Sequence, residues 1–396
     1  MQLLAPVMAH LRNRLGLNLI KKKLSFAPIL AIQGVRQSGK SVLIRNLLPK
    51  VVSDISYDTL DNPDTLDFAQ NATLTFLARA SEVKHFAIDE AQKSPKIFDA
   101  IKYLVDLKRT PGKFILLGST EFSLLFKIRE SLTGRMSRVR LYPMTAAEAL
   151  GLVSKSNSNP FFLLAKPILS RIQLVRHLER GGMPGIFSIR EASQREEFFR
   201  DWLELTCQRD LTNIPKGKFD PALAFRILEL IAQVDLPDAA SIASKLRKDG
   251  RVIRSHLEAL KSLFVIHELP PHPLGTGKTI YFLCDVGIAH HLKASFERKL
   301  WTWVIQENLA KRSYFEPREG HLYYYRNSKG SILHLVEETT QKISALKILP
   351  EEKVSELDLL LLRAFKNKAP QAELYALGSQ EQKRESVRIF SWEAAG

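Results

Sequence analysis

Gly34-Val35-Arg36-Gln37-Ser38-Gly39-Lys40-Ser41 fits the pattern G-x-x-x-x-G-K-[ST] in full. Glycines let backbone N–H groups curl round phosphate oxygens with no Cβ in the way, and a following helix N-terminus adds positive potential. Lys40 is expected to reach the β- and γ-phosphates and the Ser41 hydroxyl to ligate Mg²⁺, with Gly34 through Val42 lining the nucleotide. Further on, the apolar run Phe86-Ala87-Ile88 ends in Asp89 and Glu90. Asp89, at a strand's C-terminal edge, is placed to hold Mg²⁺ through water, and Glu90 to polarise an attacking water. Ser119 follows a third apolar run and would lie beside the γ-phosphate. Arg135, after Gly134 and before another alternating run, has two readings. It either lends charge to a neighbouring subunit's phosphates, which implies self-association, or forms a structural ion pair. Arg138 is a weaker candidate for the same role.

The elements that must carry these residues follow from patterning. Ile29–Ile32 is a short apolar run suited to a central parallel strand, and Val42, Leu43, Leu47 and Leu48 then recur at helical spacing. Phe86–Ile88, Lys113–Leu117 and the alternating Val139 and Leu141 supply further strands, so residues 1–150 predict a three-layer α/β domain. The polar stretch Gly151–Asn159 reads as a linker. Residues 160–235 read as a helical adapter against the first domain, broken at Gly181–Gly185, with helices over Arg195–Leu211 and Ala222–Val234 and no catalytic cluster.

Residues 236–283 have winged-helix character: a helix Ala239–Lys248, a turn, and a second helix Arg251–Phe264. Val252, Leu257, Leu260, Leu263 and Phe264 form its expected buried stripe. Arg251, Arg254, His256 and Lys261 form the other face, which either contacts DNA or is merely solvated. Residues 284–396 predict a last α/β domain. It has a helix Lys299–Ser313 containing Glu307, then strands Leu322–Arg326, Ile332–Glu337 and Ile343–Leu349.

Over 396 residues, 58 Lys and Arg against 42 Asp and Glu leave a net charge of +16. That surplus suits an anionic partner such as nucleotide, DNA or RNA. No apolar run reaches the roughly 18–20 residues of a membrane span, so no membrane partner is expected. Cys207 and Cys284 carry no metal or redox spacing and read as small buried hydrophobes. The first 53 residues lack Asp and Glu, as transit peptides do, but they run into the phosphate loop, so a removable leader is not expected. A cytoplasmic location is the expectation.

Together GVRQSGKS, IDEAQKSPKIFDAIKYLVD, FILLGSTEFSLL and ESLTGRMSRVRLYPMTAAEAL resemble a prokaryotic family of two-domain AAA-type P-loop ATPases. In that family the second half is a domain of unassigned function. The likeness continues through RGGMPGIF, FFRDWLELTCQRDL, HLEALKSLFVIHELPP and YFLCDVGIAHHL. It implies magnesium-dependent ATP binding, Ser119 as a γ-phosphate sensor, and oligomer-dependent use of Arg135. The chain departs at Glu121, where such members commonly carry Asn or a small polar residue; this carboxylate is expected to face solvent. The final segment resembles a PD-(D/E)xK nuclease core. There the strand carboxylate position reads His334, and the E-x-K position reads Ala345-Leu346-Lys347, leaving only Glu307 and Lys347. Without those acids a metal ion loses most of its oxygen ligands, so the resemblance implies a nuclease-like fold that has lost cleavage. A nucleic-acid-binding regulatory or scaffold protein is the alternative, and an active nuclease ranks last.

Overall fold

Alternation along Ile29-Leu30-Ala31-Ile32 fixes the layering of the first half, because successive strand residues face opposite sides. Ile29 and Ala31 join a core with Phe76, Phe86, Phe98 and Ile101, whereas Leu30 and Ile32 join Ile20, Leu43, Ile44 and Ile115 on the other side. Helices therefore cover both faces of the sheet. The computed structural model describes residues 11–122, 132, 134–152, 159–214, 217–315, 320–350, 356–384 and 386–396. Five parallel strands make the first sheet: β1 (Ile29–Gln33), β2 (Ile55–Thr59), β3 (His85–Asp89), β4 (Phe114–Gly118) and β5 (Met136–Arg140), in the order β2-β3-β4-β1-β5. Most of the Gly151–Asn159 linker lies outside the described residues.

Past that point, helices Ala192–Leu205, Pro221–Gln233, Ala239–Leu246 and Gly250–Ser262 share one core with a two-stranded hairpin, β6 (Ile266–Leu269) and β7 (Ile280–Leu283). The expected buried stripe on Gly250–Ser262 is corrected in two places. Val252 is 42% exposed and Ile253 is buried in its stead. Five residues separate Val252 from Leu257, which turns it ~140° off that face, while Ile253, Leu257 and Leu260 keep the i, i+4, i+7 spacing. His256, assigned to the polar face, is also buried: its Nε2 accepts from the Asp220 N–H at 3.1 Å, and its ring packs edge-on to Phe219.

The last six strands are β8 (His321–Arg326), β9 (Ile332–Glu338), β10 (Ile343–Ile348), β11 (Glu373–Gly378), β12 (Gln382–Arg384) and β13 (Val387–Ser391). They form a mixed sheet in the order β12-β13-β11-β10-β9-β8. Helix Phe296–Tyr314 covers one face and Glu356–Lys368, the crossover between the parallel neighbours β10 and β11, covers the other. Helix Phe296–Tyr314 is buried nearly all round, polar residues included, because it lies between this sheet and the first domain. Its Tyr314 hydroxyl accepts from the Tyr142 N–H at 2.8 Å, and Gln306 donates to the Met144 carbonyl.

His177, on helix Arg171–Arg180, packs between Phe187 and Trp303 with neither ring nitrogen hydrogen-bonded. Burial pushes its pKa down to about 3, far below an unfolded value of about 6.5. The unfolded chain therefore binds the extra proton first, and stability is lost as pH falls below about 6.5. Urea denaturation between pH 6.5 and 4 is expected to show a steeper loss in the wild type than in His177→Phe; parallel slopes would exclude this histidine as a cause.

Candidate phosphate-binding and hydrolytic site

Parallel strand order brings the C-terminal ends of β1, β3 and β4 side by side, and the segments leaving them surround one crevice. Gly34 leaves β1 against the end of β5, where an added Cβ would meet the Leu141 carbonyl oxygen at 2.1 Å. Only glycine fits there. The loop then turns through left-handed backbone at Gln37 and Gly39, with φ of 63° and 93°. The Ser38 hydroxyl is buried within the loop and has no hydrogen-bond partner. Lys40 folds back, its Nζ donating to the Gly34 and Val35 carbonyls at 2.8 and 3.0 Å, and burial holds its pKa down.

Opposite the loop, one carboxylate oxygen of Asp89 accepts from both the Ser41 hydroxyl (2.5 Å) and the Tyr57 hydroxyl (2.6 Å). That bond raises the Tyr57 pKa, in addition to the larger effect of burial. Glu90 occupies left-handed backbone (φ 52°, ψ 41°) that a non-glycine residue rarely adopts without a compensating constraint. Its carboxylate accepts from Gln92 Nε2 and from the Ser119 hydroxyl, the latter at 3.3 Å. Burial raises the Glu90 pKa, against the opposing pull of Lys40. A carboxylate so shifted is a better proton acceptor near neutral pH. The sequence-predicted Lys40, Ser41, Asp89, Glu90 and Ser119 thus meet in one place. Their hydroxyl and carboxylate oxygens, the orphaned Ser38 hydroxyl and a loop that admits no Cβ at Gly34 fit a phosphate chain with a hard divalent cation.

Other predicted residues behave differently. Val35 turns its side chain away from the loop into the core of the second half, beside residues such as Met183, Phe199 and Trp202, so only its backbone is available to a ligand. Arg36 pairs with Asp210 at 3.4 Å, and Trp202 Nε1 donates to the Arg36 carbonyl. Val42 is exposed, whereas Leu43, Leu47 and Leu48 are buried; the α-helix that starts at Lys40 widens to a π-turn over Leu43–Leu47. Arg135 stands at the other end of the sheet: its carbonyl accepts from Ile29 N–H, where β1 begins. The length of β1 puts it ~16 Å from the loop of its own chain. Its guanidinium makes two bonds to Asp106, at 2.5 and 3.0 Å. Arg138 lies 3.7 Å from Glu121, which is one-third exposed.

Sequence reasoning missed Tyr57, Gln92, Asp210 and Arg14. Gln92 had a local signal, two residues beyond Glu90; the others are remote in sequence and meet the loop only through folding. Residues 160–235, read as an adapter without a catalytic cluster of its own, also border the site. A cleft of about 480 Å³ has Glu90, Gln92 and Ser119 on one wall and Arg209 and Asp210, from the second half, on the other. Glu307 accepts from the Ala146 N–H at 2.6 Å and pairs with Lys311 at 3.2 Å. Glu297, at the start of the same helix, contacts His334 at 3.1 Å, and Lys347 is near enough to lower its pKa further.

Residues 27–150 match the family described as AAA domain. By that match, the N-terminal unit is an AAA domain. Residues 171–299 match a domain of unknown function (DUF8612). An uncharacterized protein of Mycobacterium tuberculosis is 27% identical over 337 residues, covering 81% of this chain and 69% of its own; one from Mycobacterium bovis gives the same figures. Among solved structures, a Walker-type ATPase of Pyrococcus abyssi overlaps 70% of this chain and 94% of its own at 17% identity, with a TM-score of 0.42. A STAND-type signal transduction ATPase with a tetratricopeptide repeat sensor, from Pyrococcus horikoshii, overlaps 79% of this chain and 48% of its own at 12% identity and a TM-score of 0.29. No helix among the described residues is long and apolar enough to cross a membrane.

In the AAA domain, Gly34→Ala is expected to drive a methyl into the Leu141 carbonyl and cost about 1–3 kcal/mol of stability. A chemical denaturation midpoint equal to wild type would show that the loop yields instead.

Proposed function

We propose that the protein hydrolyses ATP with magnesium and that nucleotide state is passed from the AAA domain to the second half. The observation that carries this reading is the meeting of two hydrogen-bonded groups across one crevice: Ser41–Asp89, and Ser119–Glu90–Gln92. Ser41 and Asp89 would hold the magnesium ion, whose charge offsets that of the β- and γ-phosphates. Lys40 exchanges its two loop carbonyls for phosphate oxygens, the backbone N–H groups of Gly34–Ser41 wrap the chain of phosphates, and Ser119 senses its end. Glu90 takes the proton of the attacking water, with Gln92 keeping the carboxylate aimed. Transmission is supported by the side chain of Val35 and the Arg36–Asp210 pair, which tie the loop directly to helices of the second half.

Three further readings belong to this proposal. Arg135 is too distant to serve its own loop, so any role on phosphate is on a neighbouring copy, after release from Asp106. Residues 236–283, three helices with the Pro221–Gln233 helix and then a hairpin, are read as a winged-helix-like module. Residues 284–396 are read as a nuclease-like fold without cleavage: Ala345 is buried and offers no side-chain oxygen, and the fully buried His334 is held by Glu297 and by the Ile348 N–H. A cytoplasmic location is part of the same reading.

Nucleic-acid binding is the second reading, favoured by the exposed Lys245, Arg247, Lys248, Arg251 and Arg254 around the first turn of helix Gly250–Ser262. A gel-shift titration should show binding that weakens steeply with salt. No shift at low salt would dismiss it.

Steady-state ATP turnover tests the main proposal. Glu90→Gln is expected to lower kcat about 10²–10⁴-fold while nucleotide still binds. Lys40→Ala should lose binding. Equal turnover in wild type and both variants would remove the enzymatic claim.

A further inference from the structure

Arg14 precedes the segment that matches the AAA domain, yet its guanidinium is buried directly behind the phosphate loop. Nη1 donates to the Ser38 carbonyl at 2.7 Å, Nη2 to the Tyr142 carbonyl at 2.6 Å, and Nε to Glu148 at 3.2 Å. Glu148 is itself immobilised: Oε1 also accepts from the Leu15 N–H at 2.6 Å, and Oε2 caps the helix Ala146–Leu150 through the Thr145 N–H at 2.9 Å. A planar fork between two carbonyls and a carboxylate is a geometry that arginine satisfies and a single ammonium does not.

The carbonyl that Arg14 grips belongs to the peptide joining Ser38 and Gly39. In a trans peptide the C=O and N–H point in opposite directions. Holding the Ser38 oxygen towards Arg14 therefore turns the Gly39 N–H the other way, into the cradle where phosphate oxygens lie. Gly39 sits at φ 93°, a region glycine leaves at little cost, so the sequence alone does not fix this peptide plane. A fixed positive charge on the carbonyl side also polarises the peptide and strengthens the outward N–H as a donor.

We propose that Arg14 is a positioning residue for nucleotide binding, presetting the Ser38–Gly39 peptide so that its N–H meets the phosphate chain, with Glu148 holding Arg14 in place. This rests on the reading of the loop as an ATP site. Burying a guanidinium costs several kcal/mol before pairing, and Glu148 offsets that cost, so the pair is retained for what it holds rather than as a stability device alone.

Arg14→Lys tests the proposal, because it keeps a cation beside Glu148 but cannot span both carbonyls. The KM for magnesium-ATP is expected to rise about tenfold, as for loss of one charge-assisted hydrogen bond, with kcat within about twofold. Calorimetry with ADP, and with a slowly hydrolysed ATP analogue plus magnesium, should weaken by the same factor, since the affected N–H serves phosphates common to both. Arg14→Gln, which removes the charge, should weaken binding further. A purely structural role would lower the melting temperature of Arg14→Lys while its KM stayed at the wild-type value, and that result overturns the proposal. A fall in kcat at unchanged KM overturns it too. Wild-type protein that bound neither nucleotide would sink the ATP reading itself, a different failure from equal binding by wild type and variant.

Discussion

Val35 has its backbone in the phosphate loop and its side chain in the hydrophobic core of the second half. That double membership is the constraint on which the rest depends. The loop cannot change shape without disturbing a packed interior, and packed interiors switch between discrete arrangements rather than deforming smoothly. The neighbouring contacts act in the same sense: Trp202 holds the Arg36 carbonyl and Asp210 holds its guanidinium. The loop is thereby tied to helices whose sequence carries no phosphate motif.

The charges of the crevice come from both halves. Asp89, Glu90 and Asp210 all lie close enough to Lys40 to influence its protonation. Asp210 is countered by Arg36 and Arg209, which leaves Asp89 and Glu90 facing the single Lys40 ammonium, and burial drives the Glu90 and Asp210 pKa values upward. A phosphate chain arriving alone would add to the imbalance; arriving with a divalent cation it does not. Asp210 is the one of the three that belongs to the second half, and its partner Arg36 belongs to the loop.

The parts of this arrangement that were legible in the sequence are those whose partners are close in the chain. The loop from Gly34 to Ser41 and the Asp89-Glu90 pair announce themselves because strand, turn and helix are contiguous, and the runs Ile29–Ile32, Phe86–Ile88 and Lys113–Leu117 are strands within a residue of those bounds, whereas β2 was not read and β5 starts three residues before Val139. Arg14, Tyr57 and Asp210 were not legible: each is an ordinary residue in its own neighbourhood and acquires a role only when a distant element is laid beside the loop. Helix faces failed for a different reason. Val252 and Ile253 are both β-branched and adjacent, and one residue of rotational phase decides which is buried. Glu297 and Glu307 share a helix and differ by ~15 Å along its axis; composition cannot tell which end meets β9.

The hairpin between β6 and β7 ends against another sheet. Pro270 and His272 exchange backbone hydrogen bonds with Tyr324 at 3.1 and 2.7 Å, and Thr276 donates to the Arg326 carbonyl at 2.8 Å, along the outer border of β8. An uncovered border strand recruits whatever extended chain it meets. The hairpin thus serves as a selvedge for its neighbour, and a fragment cut to begin after residue 283 would present a raw hem. Such a fragment is one to expect in inclusion bodies, whatever chemistry the intact chain performs.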